Sequence, residues 1–101
     1  MVEIRWTSQS IDDLNNIAEF ISKDSPKYAR LFVEKIFDRS EILTTHPNSG
    51  RIVPEIKDES IRELIFNSYR IIYKLYGKRI DILTVHHGSR LLKNSPLFKK
   101  K

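Results

Sequence analysis

The 101-residue sequence predicts an α+β fold in the order β-α-α-β-β-β, a helical hairpin packed on a small antiparallel sheet. Three observations predict it. Apolar residues recur at helical spacing from Ile11 to Leu43. A Ser-Pro pair cuts that stretch in two at Ser25-Pro26. After Gly50 the apolar period falls to two, as half-buried strands require.

The elements follow in order. Val2-Glu3-Ile4-Arg5-Trp6 alternates, so Val2, Ile4 and Trp6 share one face of a short strand. Thr7 or Ser8 can cap the first helix by accepting a backbone N–H bond. Asp12 and Asp13 lie near its start, where the helix dipole favours acids. Ile11, Leu14, Ile17, Ala18 and Ile21 form its apolar stripe, which ends near Lys23. Ser25 suits the next cap and Pro26 the first helical turn, where a missing N–H costs nothing. Ala29, Phe32, Val33, Ile36 and Leu43 continue one face, with Phe37 at its edge. Two striped helices on so short a link should fold back antiparallel.

His46-Pro47-Asn48-Ser49-Gly50 stops the second helix and makes a turn. Arg51 to Glu59, with Pro54 inside, reads as an extended loop. Ile61–Phe66, Tyr69–Tyr76 and Arg79–Val85 are strand-like, and Asn67-Ser68 and Gly77-Lys78 separate them as hairpin turns would. One sheet face packs on the helices. The other is more open and collects the polar and basic side chains of residues 62–90. Gly88-Ser89 breaks the last strand, Leu91, Leu92 and Leu97 cover an end of the sheet, and Lys99-Lys100-Lys101 is a basic tail. The expected organisation is one domain over residues 1–98 with the tail at 99–101.

Composition narrows the function classes. Hydrophobic residues make up 40% and charged residues 31%, which points to a folded rather than a disordered chain. The longest apolar run is about four residues, far short of a bilayer span. The start, Met1-Val2-Glu3-Ile4, lacks the basic and apolar regions of a signal peptide. The chain holds no cysteine, which excludes disulfides and thiolate metal sites. A cytoplasmic protein with no membrane partner is the expectation. The charge is lopsided. Residues 1–50 hold 6 Lys+Arg against 8 Asp+Glu, and residues 51–101 hold 12 against 5, so a net −2 half precedes a net +7 half. The basic half faces nucleic acid, an acidic protein or plain solvent.

The chain resembles the RelE/ParE toxin family. The resemblance is carried by Trp6-Thr7 with Asp13-Leu14, then His46-Pro47-Asn48-Ser49-Gly50-Arg51 with Val53-Pro54-Glu55. It continues through Arg62-Glu63-Leu64, Tyr69-Arg70-Ile71-Ile72-Tyr73 and His86-His87-Gly88-Ser89-Arg90-Leu91. No single piece is specific; their order over residues 4 to about 92 is. The resemblance implies the toxin of a type II toxin–antitoxin system, neutralised by a cognate antitoxin in a hetero-oligomer, with a role in plasmid stabilization. The Trp-Thr start and the Pro-Asn-Ser-Gly-Arg turn look more like the ParE branch, whose members poison DNA gyrase. RelE-like members instead cleave mRNA on the ribosome. A third reading is an inactive relative that only binds antitoxin.

The nuclease alternative needs a base for the 2′-OH, an acid for the leaving oxygen, a cation on the phosphorane and in-line positioning. Arginine suits the cationic task and histidine the proton transfers. The resemblance places Arg70 where ribosome-dependent nucleases of the family hold phosphate. It sets Glu55 in a loop that carries catalytic groups in some members, and His86 and His87 near a catalytic histidine of others. A Glu55–Arg70–His87 cluster on the open face is the catalytic set if the protein is a nuclease. Arg51, Arg62, Arg70, Tyr73, His86 and Arg90 are the candidate contacts to target or RNA. Each has a structural reading beside it. Arg62 can pair with Glu63 or Asp81, and Arg70 can tie the sheet face together. Glu55 can fix its loop, one of the two histidines should point inward, and Tyr69, Tyr73 and Tyr76 can simply pack. The strongly active RelE pattern carries several lysines and arginines and a late tyrosine. Here no tyrosine and no acid follow His87. No cofactor is expected. The three histidines do not make a metal-ligand set, since His86 and His87 are neighbours on opposite strand faces.

Overall fold

The computed structural model describes residues 1–88. The expectations for Ser89, Arg90, Leu91, Leu92, Leu97, the boundary at residue 98 and the tail at 99–101 lie outside the described residues.

Strand β1 (Glu3–Trp6) leads into helices α1 (Ser8–Ser22) and α2 (Pro26–Ser40), and a 3-10 turn (Glu41–Thr44) extends α2. Strands β2 (Arg51–Ile52), β3 (Ile61–Phe66), β4 (Tyr69–Tyr76) and β5 (Arg79–His87) follow. The caps are those the sequence proposes. Thr7 Oγ1 accepts from Ser10 N at 3.1 Å, and its hydroxyl donates to Ile82 O at 2.8 Å, so one side chain starts α1 and ties it to β5. Ser25 Oγ accepts from Tyr28 N at 3.2 Å, with Pro26 in the first turn of α2. Asp12 and Asp13 fall beyond the first turn of α1, which holds no acid. Asp13 instead accepts from Gln9 Nε2 at 2.8 Å and from the Thr84 hydroxyl, fastening α1 to β5.

The sheet differs from the expected one in two ways. Its order is β1-β5-β4-β3-β2, and it is mixed rather than antiparallel. β1 runs parallel to β5, with Glu3 beside Arg79 and Trp6 beside Ile82. The alternation of β1 fixes which of its faces is buried, but a partner some 76 positions away leaves no local trace. The fifth strand is the two-residue β2, inside the segment read as loop; it pairs with Glu63 and Arg62 of β3. β3–β4 and β4–β5 are antiparallel hairpins. Asn67 and Gly77, each the first residue of a two-residue turn, take φ of 52° and 60°.

The main core lies between helices and sheet. Leu14, Phe32, Ile36 and Leu43 meet Leu64, Ile71, Tyr73, Ile80, Ile82 and Val85. Burying such a side chain stabilises the fold by about 1.5–3 kcal/mol. The outer face is less open than the sequence suggests. Val53, Ile61 and Ile72 form a second, small core there, with Ile56 and Leu83 packed against it, so the segment after β2 folds over the sheet. That covered middle separates two charged ends.

Candidate functional site

At one end of the outer face β4 places Arg70 directly beside Ile65 of β3 and His86 of β5. Paired residues share a face. Glu63, opposite Ile72, joins them, and β2 brings Arg51 beside Glu63. Glu63 and Arg70 are buried at 1% and 7% exposure. Arg70 Nε donates to Glu63 Oε1 at 2.6 Å, Nη1 to Glu55 Oε2 at 2.6 Å and Nη2 to Glu55 Oε1 at 2.8 Å. Glu63 Oε2 accepts from Arg51 Nε at 2.5 Å. Two arginines thus share two carboxylates, with every nitrogen of Arg70 engaged.

The electrostatics follow. The Arg70 hydrogen bonds hold the Glu55 carboxyl at about 2, against an ordinary 4.5, with His86 adding a smaller push the same way. Glu55 in turn, and Glu63 after it, raises the Arg70 guanidinium above its ordinary range against the cost of burial. Beside the cluster is an open cavity of about 520 Å³ whose walls include Arg51, Glu55, Arg70, His87 and Gly88.

The predicted site residues separate. Glu55 and Arg70 come together as expected. The histidine on their face is His86, not His87. A β-bulge explains this: Ile72 pairs with Thr84 while Tyr73 pairs with Ile82, so Leu83 is the extra residue in β5. Counting by twos from Ile80 and Ile82 turns His87 outward; the bulge shifts the count by one. His87 pairs with Tyr69 and meets its ring edge-on at 5.4 Å, although it still reaches the rim of the cavity. His86 is buried at 5% exposure.

Arg62 and Arg70 do not share a working face. Arg62 pairs with Tyr73 on the helix side, and it donates to Gly50 O at 3.0 Å and Glu59 O at 3.1 Å rather than to Glu63 or Asp81. Tyr73 is fully buried, which removes it from the surface contacts. Its hydroxyl donates to Pro47 O at 2.9 Å and accepts from Gly50 N at 3.0 Å, and burial pushes its pKa up. A Cβ on Gly50 would lie 2.5 Å from that hydroxyl and 2.6 Å from Glu63 O, so the Pro-Asn-Ser-Gly turn is built for close approach of backbone. Arg51 is exposed at the rim, and Arg90 lies outside the described residues.

The residue that sequence reasoning underused is Glu63. Its signal was present: an acid in the middle of a six-residue strand otherwise rich in apolar side chains, next to a strand with an arginine two positions from its register partner Ile72 and therefore on the same face. Among the described residues no helix is long and apolar enough to cross a membrane.

The expected likeness to the RelE/ParE toxins is borne out by comparison with known proteins, and the helical hairpin over a mixed sheet is the fold it implies. The model of the family described as "ParE toxin of type II toxin-antitoxin system, parDE" matches residues 4–92, and the chain belongs to that family. It is 35% identical over 87 residues to a curated protein of Sinorhizobium fredii (strain NBRC 101917 / NGR234) named "Putative toxin Y4kP", covering 84% of this chain and 86% of that one. A solved structure described as "Chromosomal ParDE TA system from P. aeruginosa" shares the fold, with a TM-score of 0.72 at 23% identity, over 86% of this chain and 96% of that one.

Proposed function

We propose that this ParE-family toxin inhibits growth by binding DNA gyrase without cutting RNA, and that a cognate antitoxin neutralises it in a cytoplasmic hetero-oligomer. The observation that carries the choice is the state of Arg70. A phosphate-holding arginine must offer its donors to substrate. Here all three nitrogens are bound to Glu55 and Glu63, and the residue is 7% exposed. The histidine chosen as catalytic partner, His87, packs on Tyr69. A phosphate approaching Arg70 would also meet two carboxylates, and like charge repels it.

An antitoxin has a surface to cover. Phe20 and Tyr28 are 69% and 67% exposed on the helical side. Each borders a shallow cleft, of about 350 and 370 Å³, with the Tyr69 ring lining both. An amphipathic helix or an added strand is the usual form for such a partner. A supercoiling assay with purified gyrase tests the target. Inhibition, with trapped cleavage complexes and intact mRNA in a translation extract, is the expected outcome. Codon-phased mRNA cuts with unaffected gyrase would transfer the protein to the nuclease reading. Growth unaffected by induced expression would leave only antitoxin binding.

A further inference from the structure

The opposite end of the outer face carries a second cluster that neither target reading uses. The β4–β5 hairpin tip presents Tyr76, 42% exposed, with Lys74 Nζ 5.1 Å and Arg79 Cζ 4.7 Å from its ring centroid. Cations at both positions hold the ring by its π system and leave it standing at the surface. Gly77 turns the tip with φ of 60°, and nothing lies within 4 Å of where its Cβ would be, so the approach is open. Lys78 is exposed beside it.

The charges here are incompletely matched. Asp81 accepts from both Arg5 Nη2 at 3.2 Å and Arg79 Nε at 3.0 Å, and one carboxylate cannot neutralise two guanidiniums. Those arginine side chains remain 58% and 40% exposed. Glu3, in register with Arg79, and Asp58, near Lys74, are the other acids at the flanks. Lys74 and Arg79 over the exposed ring, with Lys78 beside it in the turn and Arg5 beyond Asp81, suit a ligand that alternates flat bases with phosphates.

We propose that the β4–β5 hairpin tip is a contact surface for single-stranded nucleic acid, with Tyr76 as the stacking platform and Lys78, Arg79 and Arg5 meeting phosphates. Stacking on an aromatic side chain tolerates any base, so binding is sequence-independent. Phosphate contacts make it fall steeply with salt. The surface stands whether or not gyrase is the target.

Fluorescence anisotropy of the full chain tests it, with a labelled oligothymidylate and a duplex of equal length, in about 50 mM and about 200 mM salt. The single strand should bind more tightly than the duplex and weaken on adding salt. Tyr76→Leu, which keeps an apolar side chain and removes the ring, should weaken single-strand binding about tenfold. Tyr76→Phe should retain it. Lys78→Glu, at an exposed turn position, should lower affinity and reduce the salt slope by about one. Arg30→Glu, the same charge change on the exposed face of α2, should stay within about twofold of wild type. Thermal melts confirm that each variant is folded. No binding of either oligonucleotide, unchanged affinity in Tyr76→Leu and Lys78→Glu, or an equal loss in Arg30→Glu would overturn the proposal.

Discussion

The outer sheet face carries arginines at both ends, and the two ends treat them differently. At the closed end Arg51 and Arg70 meet Glu55 and Glu63, charges balance, and Arg70 is engaged at every nitrogen. At the open end Arg5 and Arg79 share Asp81, and an exposed tyrosine stands among the cations. Between them lies the small core of Val53, Ile61 and Ile72. The difference teaches that an arginine on a basic protein is not by itself an anion site. What counts is how many carboxylates already claim it. The position most readily assigned to catalysis is the one the fold has spent on architecture.

The comparison can be broken by experiment, and the largest effect should come from the closed end. Glu63→Ala leaves the buried Arg70 with Glu55 alone and takes the partner from Arg51, and should cost about 3 kcal/mol in urea unfolding. A loss no greater than that of a surface pair would mean the cluster is not structural. Gly50→Ala comes next. Its methyl must displace the Tyr73 hydroxyl and the Glu63 backbone, which should cost about 1–3 kcal/mol in the same assay. Asp81→Asn at the open end should cost under about 1 kcal/mol, because its arginines can turn to water. If it matched Glu63→Ala, the two ends would be alike.

The smallest effect is one of pH. Glu55 is held at about 2 in the folded chain against 4.5, so its contribution is complete above about pH 4.5 and lost as pH falls toward 2. Because its side chain is 41% exposed, solvent screening limits this to about 1 kcal/mol or less. Urea midpoints at neutral and acid pH should show a steeper fall for wild type than for Glu55→Gln. Equal slopes would detach Glu55 from the clamp.

Much of this molecule was legible beforehand, and the physical reason is locality. Thr7, Ser25-Pro26 and the Pro-Asn-Ser-Gly turn announce helix limits because capping and chain reversal are settled among neighbours a few residues apart. The bounds of β3 and β4 were readable from alternation and flanking turn residues. Arg70 and Glu55 were grouped with His87 for chemistry, and the structure joins the first two in a clamp with Glu63 instead.

Sequence alone thus determined the α+β class, the helical hairpin, the three-stranded meander and the likeness to one toxin family, since each rests on local periodicity or on residue order. Only the tertiary structure decided the parallel β1–β5 pairing, the bulge that exchanges His86 for His87, the opposite faces of Arg62 and Arg70, and the burial of Tyr73. Those depend on register between distant strands. In a structure of period two, a shift of one residue moves a side chain to the other face of the sheet.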